Sequence, residues 1–110
     1  MDWQTVEMNG YAYYSQKGYR ILISLVYTKD YDFVAEKDGK YIRVNVKKAG
    51  LKNKRRPNSW SISRSSVDYF GIVDVYLAWL PHLEKYIELS GDFFKESNSK
   101  SKLIPKNMII

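Results

Sequence analysis

Residues 30–48, DYDFVAEKDGKYIRVNVKK, alternate charged and apolar side chains on either side of an Asp38-Gly39 dipeptide. That dipeptide is favoured in a two-residue type I′ hairpin turn, whose central positions both need positive φ. A regular ladder counted back from the turn pairs Lys37 with Lys40, Phe33 with Val44, Asp32 with Asn45 and Asp30 with Lys47. Tyr31, Phe33 and Ala35 then share a face with Ile42, Val44 and Val46. Asp30, Asp32 and Glu36 share the other with Arg43, Asn45 and Lys47. Directly opposed side chains have Cβ atoms about 5 Å apart, so Asp32, Asn45 and Lys47 can meet around one small ion. They can equally be cross-strand pairs on a wet face, and the periodicity is the same in both cases.

A second carboxylate stands where apolar residues are expected. Asp2 can cap a helix over residues 3–17, with Trp3, Val6, Gly10 and Tyr14 recurring at helical spacing and Gly18 as the stop. Glu7 lies on that stripe. A carboxylate there is costly unless it reaches solvent at the edge, is paired, or binds a cation.

Composition removes much other chemistry. The 110 residues are enough for one domain, read as residues 1–96 followed by a polar tail, 97–110, with an apolar end. With no cysteine and a single histidine, His82, thiolate chemistry, cysteine-bound zinc and multi-histidine sites are excluded. His82 itself reads as a turn residue beside Pro81. There is no apolar run of membrane-spanning length and no signal-peptide pattern at the start, so a cytoplasmic protein without a membrane partner is expected. Nor is there a P-loop, a dinucleotide fingerprint or a nucleophile elbow.

A net charge of +6 points to a polyanionic partner. The excess concentrates in residues 47–64, at Lys47, Lys48, Lys52, Lys54, Arg55, Arg56 and Arg64, and the interspersed Gly50, Asn53 and Pro57 mark a basic loop. Such a loop is either a solvated surface or a phosphate-tracking one.

The elements that must position these residues read as follows. Residues 19–27 are almost continuously apolar and β-branched, as in an interior strand. Residues 59–63 suit a short strand, 65–71 a short helix capped by Ser65 or Ser66, 72–80 an apolar strand interrupted by Asp74, and 85–91 a closing strand. The chemistry left is that of oxygen ligands for a hard divalent ion, with a lysine beside them and a basic surface to hold phosphates.

The order of these residues resembles the PD-(D/E)XK nuclease superfamily: Glu7 on a first helix, Asp32 in YDFV, then RVNVKK on the following strand. More narrowly, YDFVAEKDGKYIRVNVKKAG and the downstream VDYFGIVDVYLAWLPHLEKYIEL resemble the branch of intron-associated homing endonucleases and archaeal Holliday-junction resolvases. The resemblance implies a restriction-endonuclease-like α/β core, a central mixed sheet in the order αβββαβ flanked by helices. It implies Mg²⁺, with Mn²⁺ as a substitute, held by Asp32, Glu7, the Val46 backbone carbonyl and Asn45, and Lys47 as the catalytic lysine. Lys48, Lys52, Lys54, Arg55, Arg56 and Arg64 would contact double-stranded or branched DNA. A homodimer or higher oligomer in a bacterial, archaeal or phage-infected cell would be expected. Asn45 departs from the pattern, since the family has an acidic residue there or, in the homing branch, Gln. A catalytically inactive DNA-binding module on the same fold is the alternative.

Overall fold

The computed structural model describes residues 2–25, 31–64, 72–95 and 99–109. The helix expected over 65–71 and the pairing expected for Asp30 lie outside the described residues.

Helix α1 (Trp3–Ser15) begins where the sequence places it, with Asp2 accepting a 2.8 Å hydrogen bond from the Thr5 amide. Val6, Gly10 and Tyr14 are its buried face, while Trp3 is exposed. Gly10 sits on that face because the sheet comes so close: a Cβ there would lie 3.3 Å from Leu77 Cδ2 and 3.4 Å from Val46 Cγ2. Tyr14 donates from its hydroxyl to Glu88 (2.7 Å), and Tyr86 donates to the Val6 carbonyl. These contacts fix the helix across the sheet, and with it the height of Glu7.

The sheet under α1 has five strands: β1 (Arg20–Leu22), β2 (Phe33–Lys37), β3 (Lys40–Lys48), β6 (Val75–Leu80) and β7 (Lys85–Ser90). In chain order β4 (Gly50–Leu51) and β5 (Trp60–Ser63) fall between β3 and β6, and β8 (Ser101–Leu103) follows β7. The five strands lie side by side as β1-β2-β3-β6-β7, with β3 and β6 parallel and the other pairs antiparallel. A parallel pair at the centre needs a crossover, and residues 49–74 supply it.

One face of this sheet, built from Phe33, Ala35, Val44, Val46, Leu77 and Trp79, packs against Val6 and Tyr14 of α1. The other face carries Tyr76, Ala78, Leu80, Ile87 and Leu89. It is covered by a three-stranded sheet ordered β4-β5-β8 and by the C-terminal helix α2 (Lys106–Ile109), through Ile62, Phe94, Ile104 and Ile109. The C-terminal segment thus contributes a strand and two buried isoleucines, Ile104 and Ile109, to the main fold.

Two expectations are corrected. Of the apolar run 19–27, the described residues 19–25 form only the three-residue β1, and at the sheet edge, not the interior. Ile23 is 58% exposed and Leu25 fully so, because among the described residues no element lies beyond β1 to cover them. A continuous apolar run reports hydrophobicity on both faces, and it cannot say whether a neighbour exists to bury either one. The second correction, at Asp32, bears on the site.

Candidate active site at a break in the hairpin

The hairpin register is the one its turn predicts. Asp38 and Gly39 have φ of 54° and 81°, and Lys37 faces Lys40, Ala35 faces Ile42 and Phe33 faces Val44. The regular ladder stops there. Asp32 does not simply oppose Asn45: its amide donates to the Val44 carbonyl at 2.8 Å, although Val44 is already the partner of Phe33. Two residues of one strand oppose one of the other, which is a β-bulge, a device that re-aims a side chain.

The bulge has two consequences. Tyr31 leaves the Phe33 face, where strict alternation had placed it, and packs against the core on the opposite side of the sheet. Asp32 is re-aimed along the strand end, where its Oδ2 accepts a 2.6 Å hydrogen bond from the Val46 amide. Because a strand residue presents its N–H and C=O to the same neighbour, the Val46 carbonyl faces this edge too.

At this point Asp32 feels the charges of both Glu7 and Lys47. Burial pushes the Asp32 carboxyl up to about 6; the Val46 N–H opposes that rise, the Glu7 charge adds to it, and the Lys47 charge opposes it. Burial likewise lowers the Lys47 ammonium, with Asp32 acting against the shift. A buried carboxyl raised further by a neighbouring negative charge and a desolvated lysine beside it are charges held at a cost. Shifts of this kind concentrate at functional sites.

Tyr11 is a member of the group that sequence reading missed. Its hydroxyl donates to Glu7 Oε1 at 2.8 Å, and its ring meets Phe33 edge-on at 5.0 Å. Burial pushes its hydroxyl up to about 12, helped by the hydrogen bond to Glu7 and by the charges of Glu7 and Asp32. The i, i+4 spacing from Glu7 was visible in the sequence, but a tyrosine on an apolar helix stripe reads as core.

Asn45 and Lys47 project to the other side of the sheet from Val44 and Val46, as the neighbours of Tyr76 and Ala78 on β6. That side is the one covered by the small sheet, whose β4-β5 connection is the basic loop. Lys48, Lys52, Lys54, Arg55 and Arg56 are all exposed. Arg64 is not part of that surface. It is only 4% exposed, its guanidinium lies 5.4 Å from the Phe94 ring, and its amide donates to the Lys100 carbonyl. One residue past the end of β5, it points into the second core, a placement no charge count could reveal. His82 is a turn residue whose ring stacks on Trp60 at 4.1 Å.

The Asp32 carboxylate and the Val46 carbonyl on the same edge are donors of the kind a hard cation takes, and the Glu7 charge acts on Asp32. Among the described residues no group of three or more Asp, Glu, His or Cys residues assembles, so such an ion would draw its protein charge from Glu7 and Asp32. Among those residues, too, no helix is long and apolar enough to cross a membrane.

No family model matches the chain, and no curated protein matches it in sequence. Among solved structures the chain is similar to a bacterial homing endonuclease, I-Ssp6803I, with a TM-score of 0.75 and 18% identity over 92% of this chain and 70% of that one. The expected fold class is therefore borne out: a five-stranded mixed sheet crossed by a helix, in the nuclease-like α/β arrangement.

Proposed function

We propose that this chain is a divalent-metal-dependent DNA endonuclease of the PD-(D/E)XK kind. The observation that supports the reading is the half-buried Asp32 carboxylate at the bulge, held by the Val46 amide and feeling the charges of Glu7 and Lys47, in a fold similar to that of a homing endonuclease. Mg²⁺, or Mn²⁺ in its place, would be held by Glu7, Asp32, the Val46 carbonyl and Asn45, and would supply positive charge against the oxygens of a phosphodiester.

The protein's own part follows from the geometry. The Val46 amide and the bulge fix Asp32; Tyr11 fixes Glu7. Lys47, held where its charge is poorly solvated, orients an attacking water or stabilises the negative charge that develops on the phosphate. The exposed cations between β4 and β5 hold the DNA backbone without reading sequence. One such centre cuts one strand, so cutting both strands at a defined position requires two copies.

The test is cleavage of supercoiled and branched DNA by wild type and Lys47→Ala, each with Mg²⁺ and with EDTA. Cutting that needs both metal and lysine is the expected result; wild type that never nicks either substrate would sink the proposal. That no group of three or more Asp, Glu, His or Cys residues assembles among the described residues favours one alternative, a DNA-binding module on the same fold without activity. It predicts salt-sensitive DNA binding with no Mg²⁺-dependent rise in Tm.

A further inference from the structure

The β4-β5 connection is a built turn. The Lys52 amide donates to the Ser59 carbonyl (2.7 Å), Asn53 N to Ser59 Oγ (3.0 Å), Arg56 N to the Asn53 carbonyl (3.0 Å) and Arg55 N to Asn53 Oδ1 (2.9 Å). Trp60 donates its indole N–H to the Pro57 carbonyl at 2.9 Å. The segment after β8 is tied to the same structure by the Ile104 amide, which donates to the Trp60 carbonyl at 2.8 Å, and by burial of the Ile104 side chain. Between these fixed walls lies a hollow of about 350 Å³.

We propose that this hollow is a binding site for a single nucleotide. Arg55, Arg56 and Lys106 line it with no carboxylate among them. Among the described residues none of the three makes an ion pair. Cations gathered without a counter-charge are relieved by an anion, and guanidinium forks match phosphate oxygens. Pro57, Leu103 and Ile104 supply an apolar wall, and Leu103 remains 47% exposed. A bare phosphate has no use for such a wall, whereas a sugar and base do. Guanidinium planes stack on bases, and the Asn58 amide can both donate to and accept from a base edge. The volume falls near the lower end of small-molecule sites, which start at roughly 300 Å³, and so admits one nucleotide but no duplex. Choosing a nucleotide over other phosphorylated ligands rests on the nuclease reading.

The nucleotide can come from a phosphorylated strand end, from inside a continuous strand, or free in solution. The test titrates ¹⁵N-labelled full-length chain in EDTA, where nothing is cut, with 5′-phosphorylated thymidine tetranucleotide, its unphosphorylated counterpart, thymidine 5′-monophosphate and inorganic phosphate. Shifts of the Asn58, Leu103 and Lys106 amides are expected. Arg55→Ala combined with Lys106→Ala should weaken binding about tenfold or more, while Lys40→Ala with Lys85→Ala, an equal loss of exposed charge outside the hollow and outside the basic loop, should change it less than about threefold.

Preference for the phosphorylated oligonucleotide assigns the site to a strand end, equal binding of both oligonucleotides to an internal nucleotide, and equal binding of the monophosphate to a free one. Equal losses in the two double variants would overturn the proposal, as would inorganic phosphate binding as tightly as every nucleotide. The substitutions are at exposed positions, and the dispersion of the amide spectrum reports folding directly. Because binding is read without metal, a chain that fills the hollow but never cuts DNA condemns the nuclease reading alone. One that cuts DNA with the hollow empty condemns only this one.

Discussion

The bulge and the basic loop use charge in opposite ways. At the bulge Asp32 and Lys47 are half-buried, and burial is the first cause of both their shifts. On the loop Lys52, Lys54, Arg55 and Arg56 stand in water on a turn stiffened by its own hydrogen bonds. Charges held where they are poorly solvated interact strongly with whatever enters; charges in solvent attract at longer range and are screened by salt. The first arrangement suits bond-breaking, the second holding.

The sharpest way to break that division is Lys47→Ala. Cleavage should fall by about 10²–10³-fold, the usual cost of losing one positioned stabiliser of transition-state charge, with DNA affinity nearly unchanged. A plasmid-nicking rate beside a filter-binding curve measures both, and a parallel loss of affinity would erase the distinction.

The complementary change removes Lys52, Lys54, Arg55 and Arg56 together. Each cation that touches a phosphate contributes about one unit to the slope of log affinity against log salt. The slope should flatten by about two to four units and affinity drop by tens-fold or more, while the rate on saturating DNA stays close to wild type. Fluorescence anisotropy at several salt concentrations supplies the slope.

A smaller effect separates the regions by stability. With its pKa raised in the folded protein, Asp32 favours folding when protonated. This group's contribution is full below its unfolded value of 3.8, declines as pH rises, and is lost above about 6. Asp32→Asn keeps an acceptor for the Val46 amide without the buried charge. In EDTA at pH 7 it should be more stable than wild type by roughly 1–3 kcal/mol, with the advantage gone near pH 3. Denaturant melts at the two pH values decide this, and Mg²⁺ should then stabilise wild type but not the variant.

The smallest effect belongs to an ordinary surface pair. Lys17 and Glu88 are 3.4 Å apart with side chains 46% and 40% exposed, so Lys17→Ala should cost less than about 1 kcal/mol. A larger cost in the same melts would mean that exposed charge counts for more here than the comparison allows.

Much of the framework was legible because it rests on local chemistry. The Asp2 cap, the helix stripe through Val6, Gly10 and Tyr14, and the Asp38-Gly39 turn each depend on residues a few positions apart. The register that followed from the turn held as far as Phe33 and Val44. Glu7, misplaced on an apolar stripe, was a signal in its own right. Tyr11 carried no such signal, since its role depends on where Glu7 and Phe33 end up.

The sequence by itself determined which side chains can alternate across a strand, where the chain turns back, and, with no cysteine and one histidine, that thiolate and multi-histidine chemistry is out of reach. Only the tertiary structure decided that the ladder breaks at Asp32, that β1 lies at an edge, and that Arg64 turns inward while its basic neighbours stay in water. The reason is physical: periodicity and turn chemistry are fixed within a few residues. A bulge, an edge or a buried arginine is fixed by what lies across the sheet, and the Val46 amide and the second core are set by residues far away in the chain.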